Sequence, residues 1–214
     1  AVASITDVST DTGLSDADYI TNQAIQTVMG TLTTTLVAGE KVQVSADGTN
    51  WFDATVAGTQ WLGQVALSSG AGTLQVRTID AAGNTTNGAE TQGYTLDTNK
   101  PVAATSLATT VVNPNNSVSI SGDETVTLTF SEAVDVDTLI QGGKFATGVL
   151  TFTDEAKLGT TYSVAGNGAS DGVATSFTIT LSGDATLTTT GTLTFAKSKV
   201  VDKAGNASAN NVTF

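Results

Sequence analysis

The sequence predicts an all-β chain of two tandem sandwiches, and three observations carry the prediction. Apolar residues recur with period two, turn signals separate these runs every few residues, and one loop motif is written twice about a domain's length apart. In the first half, "KVQVSA" puts Val42 and Val44 on one strand face, and "TLQVRTI" does the same with Leu74 and Val76. In the second half, "TVTLTF" aligns Val126, Leu128 and Phe130, "SFTITL" aligns Phe177, Ile179 and Leu181, and "TLTF" aligns Leu193 and Phe195. A strand turns alternate side chains to opposite faces, so each run has one face to bury. These residues, Leu181 apart, are the expected core. Long helical patterns are missing, and "ADGTN", "GAGT", "AGN", "NPNN", "SGDE", "GNGASDG" and "SGDA" supply the turns.

Pro101, in "LDTNKP", lacks the N–H a sheet ladder needs and follows a strand-like "TQGYTL". The boundary is placed there, giving a first domain over residues 1–97 and a second over 98–214, joined by a short linker. Both chain ends look like strands and not natural termini, so the chain reads as a fragment excised from something longer.

Composition narrows the chemistry. There is no cysteine, hence no disulfide or thiolate metal site, and no histidine, the usual general base. Without a histidine, a Ser or Thr nucleophile lacks its ordinary activator, and no catalytic residue is assigned. The chain carries 8 Lys+Arg against 20 Asp+Glu, a formal net charge of −12. Such a surface repels phosphates and anionic lipids and attracts hard cations. No apolar run is long enough to cross a membrane, so neither nucleic acid nor membrane insertion is expected.

The repeated motif is "IDAAGN", Ile79 to Asn84, and "VDKAGN", Val201 to Asn206. In a seven-strand Ig-like order, the loop after the sixth strand lies at the N-terminal pole of its domain. The loop after the second strand, with Glu40 or Glu132, and the entering segment, with Asp7 and Asp11 or with Asp97 and Asn99, are expected at the same pole. Converging carboxylates repel one another unless a hard cation such as Ca2+ gathers them, with Asn and backbone oxygens completing its shell. The plainer alternative is that Asp-x-x-Gly-Asn is simply a good turn. "DTGLSDADYITN" adds Asp16 and Asp18 but lacks the Gly and Glu of an EF-hand loop, and "GNGASDG" reads as a hairpin turn. The N-x-S/T sites match glycosylation acceptors by chance composition. Trp51 and Trp61 are expected in the core, with a sugar-stacking role as the alternative.

"ITDVSTDTGLSDADYITN", "GTLTTTLVAGEKVQVSADGTNWFDATV", "LQVRTIDAAGN" and "YTLDTNKP" together resemble the bacterial Ig-like repeats of giant secreted surface adhesins of the RTX, type I-secreted kind. "SGDETVTLTFSEAV" and "VVDKAGN" make the second half similar to a related Ig-like type, with a looser match from Asp135 to Ser176. The resemblance implies a monomeric spacer at the bacterial cell surface, serving adhesion or biofilm formation, with neighbouring repeats as partners, an unknown receptor, and Ca2+ at domain junctions. It matches Asp7, Asp11, Asp80 and Asn84 to a first metal site and Asp97, Glu132, Asp202 and Asn206 to a second. Members of the family often have Asp-Asp-x-Gly where this chain has "TDTG", so Thr10 stands where one ligand of the first site is expected. A carbohydrate- or protein-binding module of a surface protein is the alternative function.

Overall fold

The computed structural model describes residues 1–102, 108–109, 125–187, 193–209 and 212–213. Turns expected at Pro114 and in "SGDE" lie largely or wholly outside them. The chain divides into two compact units, Ala1–Thr98 and Asn99–Phe214.

In the first unit the strands are β1 (Ala3–Val8), β2 (Ile20–Thr21), β3 (Ile25–Leu32), β4 (Lys41–Ser45), β5 (Phe52–Asp53), β6 (Thr55–Ala57), β7 (Gln60–Ala66), β8 (Gly70–Ile79), β9 (Thr85–Asn87) and β10 (Gln92–Leu96). They form two sheets, ordered β1-β3-β7-β6 and β2-β10-β8-β4-β5, with β9 paired to β8. The pairings are antiparallel except β2 with β10, where Thr21 lies opposite Leu96. The period-two pattern shows directly in burial: Val42, Val44, Leu74 and Val76 all face the core. Trp61 joins them at 3% exposure, with its indole N–H donating to the Thr31 carbonyl. Trp51 departs from the core expectation. It is half-buried on the outer side of the second sheet, where the Arg77 guanidinium lies 4.0 Å from its ring centroid. The long Arg stem and its planar head stack well on an indole at a wet surface, and the Trp51 N–H reaches the Gly48 carbonyl. Gly30, in the middle of β3, is required by contact: a Cβ there would lie 1.9 Å from the Ser4 carbonyl oxygen and 2.5 Å from the Trp61 ring.

The second unit contains β11 (Ala108–Thr109), β12 (Thr125–Asp135), α1 (Val136–Leu139), β13 (Ile140–Gln141), β14 (Lys144–Phe145), α2 (Phe152–Ala156), β15 (Ser163–Asn167), β16 (Val173–Thr180), β17 (Thr194–Phe195), a 3-10 turn (Lys197–Lys199) and β18 (Val212–Thr213). Its main sheet runs β11-β12-β16-β15, and β13-β14 and β17-β18 form separate pairs. Val126, Leu128, Phe130, Phe177, Ile179, Leu193 and Phe195 are all buried in one cluster. Phe130 meets Phe177 edge to face at 5.9 Å, and Phe145 meets Phe195 likewise at 5.2 Å. The loosely patterned middle holds two short helices, each started by a side-chain cap: Asp135 accepts from the Asp137 N–H and Thr151 from the Asp154 N–H. The strand that carries "TLTF" ends at Phe195 before the 3-10 turn, whose Lys-Ser-Lys sequence has no period-two apolar face to keep it in a sheet.

Candidate metal site

The repeated motif folds the same way twice. Its Asp accepts the Asn backbone N–H through one carboxylate oxygen and the Asn side-chain N–H through the other. These distances are 2.9 and 2.8 Å at Asp80–Asn84, and 2.8 Å for both at Asp202–Asn206. Asp and Asn also exchange backbone bonds: the Asp N–H donates to the Asn carbonyl, while the motif Gly N–H donates to the Asp carbonyl. Gly83 and Gly205 make this closure possible with φ of 90° and 84°, a left-handed conformation that a side chain disfavours. The motif is therefore a self-closed turn in both places. At Asp80 the Asn84 amide and nearby backbone N–H groups hold the carboxyl below its ordinary value.

The surroundings of the two copies differ. Asn84 is exposed, whereas Asp202 and Asn206 are 2% and 7% exposed. The second copy is covered because β12 continues alongside it. Val134 bridges Asp202, and the Asp135 N–H donates to the Val201 carbonyl. Glu132 was expected in a loop after a strand, but it lies inside β12, where the pairing register shifts between Thr129 and Val134. A bulge re-aims side chains on a strand, which is how an acidic residue reaches this position from within a sheet. Within the second unit, one carboxylate oxygen of Glu132 and one of Asp202 lie within 4.8 Å of each other. Opposed oxygens around a Ca2+ at 2.3–2.6 Å stand up to about 5 Å apart, so the spread fits a shared divalent cation. Asp97 and Glu132 are half-buried, and Asn206 orients Asp202 through the turn.

The other four expected ligands are not brought together. Asp80 follows β8 at the end where Lys41 opposes Ile79 and where the Thr78 hydroxyl donates to the Ala1 carbonyl. Asp7 and Asp11 lie at the far end of β1, roughly 20 Å along the strand. The physical reason is that "ITDV" is strand interior and not an entering segment: Asp7 opposes Met29, just past a bulge at Thr6. Asp11 accepts the Tyr19 N–H, and the neighbouring Thr10 carbonyl accepts from Thr21 and Gln26. Thr21 in turn receives the Asp97 N–H, so Asp11 shares its end of the first unit with Asp97 and not with Asp80. Burial, more than the nearby Asp18 and Asp7 charges, pushes the Asp11 carboxyl up, against the Tyr19 hydrogen bond. Asp18 is the neighbour that sequence reasoning passed over. Its signal in the sequence is the Asp-x-Asp just before the "YITN" strand.

A bacterial Ig-like domain profile matches residues 1–98, and a second profile of the same description matches residues 103–214. The chain belongs to the bacterial Ig-like domain family. These are structural, non-catalytic modules, here arranged in tandem. No curated protein matches the chain. Among solved structures it is similar to SGBP-B of the Bacteroides ovatus mixed-linkage glucan utilisation locus, described in complex with a mixed-linkage heptasaccharide. The identity is 15% and the TM-score 0.28, over 100% of this chain and 47% of that one. The chain thus spans about half the length of that protein.

Proposed function

We propose that these tandem Ig-like domains are a structural spacer of a large bacterial cell-surface adhesin, secreted and held outside the cell. In this reading Ca2+ at domain junctions stiffens the array for adhesion or biofilm formation. The observation that supports it is the pair of carboxylates that Glu132 and Asp202 bring together in the second domain, with Asp202 set by a buried turn; Asp97 of the linker is the third proposed ligand. Two carboxylates at this spacing repel, by about 3 kcal/mol at an effective dielectric near 20, unless a cation shares their oxygens. Asp7, Asp11, Asp80 and Asn84 remain proposed ligands only in separate places, the first pair at one end of the first domain and the second at the other.

The test is Ca2+ titration by calorimetry on the chain and on Asp202→Asn, with scattering in Ca2+ and in chelator. The expected outcome is binding and a Ca2+-dependent scattering profile in the native chain, both lost in the variant. Equal heats and profiles in all conditions overturn the proposal.

One observation favours the alternative of a ligand-binding module. The outer face of the β1-β3-β7-β6 sheet carries a groove of about 370 Å³, lined by Thr6, Asp7, Met29, Thr31, Gln60 and Leu62, with the Trp61 indole buried on the opposite face. A groove that mixes polar and apolar side chains suits a small ligand such as a sugar. A change in Trp fluorescence on titrating oligosaccharides, abolished by Gln60→Ala and Thr31→Ala, identifies that reading, and no change rejects it.

A further inference from the structure

The sequence contains two Asn-Gly pairs, Asn87–Gly88 and Asn167–Gly168. In such a pair the glycine backbone nitrogen can attack the asparagine side-chain carbonyl carbon, because no Cβ hinders its approach. A new N–C bond closes a succinimide, the side-chain nitrogen leaves as ammonia, and water then opens the ring to aspartate or isoaspartate. The reaction needs an accessible glycine amide that is free to rotate, and the fold treats the two pairs oppositely.

At Asn87–Gly88 the nucleophile is locked. The Gly88 N–H donates to the Val76 carbonyl at 2.7 Å, and Asn87 is held in β9 opposite Arg77. A Cβ on Gly88 would lie 2.5 Å from the Val76 side chain and 2.9 Å from the Ala3 carbonyl, so the backbone there is packed on two sides. Reaction at this pair requires local opening first. At Asn167–Gly168 the constraints are absent. Asn167 is the last residue of the edge strand β15, and Gly168 opens the turn to β16 with φ of 61° and nothing within 4 Å of a Cβ. Among the described residues no hydrogen bond engages the Gly168 N–H. Both residues are exposed, and the carboxamide is held only by the Ser176 and Thr178 hydroxyls at the sheet surface, bonds that water replaces at little cost.

We infer that Asn167–Gly168 is a site of spontaneous succinimide formation and deamidation in the folded chain, and that Asn87–Gly88 is protected by the fold. Each event adds a carboxylate to an already acidic chain. The isoaspartate product also lengthens the main chain by one carbon where Asn167 pairs with Ser176, unfastening that end of the β15–β16 hairpin.

The test is incubation of the native chain at mildly alkaline pH, followed by peptide mapping by mass spectrometry for deamidated and isoaspartyl products. A parallel incubation in denaturant gives the rates without the fold. The expected result is deamidation at Asn167 at least about tenfold faster than at Asn87 in the native chain, with the two rates converging in denaturant. Gly168→Ala should slow the Asn167 reaction in both conditions. Equal native rates at the two pairs, or a faster reaction at Asn87, overturn the inference.

Discussion

Asn206→Ala and Asn84→Ala remove the same hydrogen bond from two copies of one turn, and the structure says they should not cost the same. In each the lost bond is a 2.8 Å donation from the Asn side chain to a carboxylate. At Asn84 water takes its place. At Asn206 both partners are buried, so solvent does not take the place of the lost donor. A charge-assisted bond of this kind, closed to solvent, contributes about 1.5–3 kcal/mol. At about 4 °C per kcal/mol for a unit of this size, the second domain should melt about 6–12 °C lower. The assay is thermal and urea unfolding of the full chain in chelator, which separates the turn from any ion, with the two domain transitions followed by circular dichroism and Trp fluorescence. Asn84→Ala should leave the first transition where it is within error. Equal shifts for the two variants would refute the argument that burial, and not the motif, sets the strength of the bond.

Three further outcomes follow from the packing. Phe130→Ala should cost the second domain about 3–5 kcal/mol, since it empties a buried ring site in edge contact with Phe177, and a loss below about 1 kcal/mol in urea unfolding would place Phe130 outside the core. Gly30→Ala should destabilise the first domain by about 2 kcal/mol or more and shift Trp61 emission, because the new methyl meets backbone on one side and the indole on the other. An unchanged emission and midpoint would count against that contact. Asp184 is held down to about 2 by the Ser182 hydroxyl and then the Thr160 N–H, so its contribution is present above the ordinary value of 3.8 and disappears as pH falls through about 2. Asp184→Asn should therefore be less stable than the native chain at neutral pH, and the gap should close in that acid window; a gap independent of pH would rule out the linkage.

The sequence by itself determined the all-β class, the tandem arrangement and the core faces. These depend on period-two alternation, which each strand carries locally, and every residue that the alternation aligns, from Val42 to Phe195, is buried. It also determined that "DAAGN" and "DKAGN" close into the same turn, because Asp, Gly and Asn at that spacing satisfy one another without outside help. Only the tertiary structure decided where each turn lies and what surrounds it. Asp7 and Asp11 stand apart from Asp80 because the first strand begins earlier than the pattern suggested, and a few residues of shift along a strand move a side chain from one pole to the other. Glu132 reaches Asp202 through a register shift inside β12, which no local pattern announces. Trp51 lies against Arg77 on a surface while Trp61 enters the core, although both are tryptophans in strand-rich stretches. The alternation fixes which neighbours share a face, but burial and charge proximity depend on pairings made across tens of residues, and those are decided only when the sheets assemble.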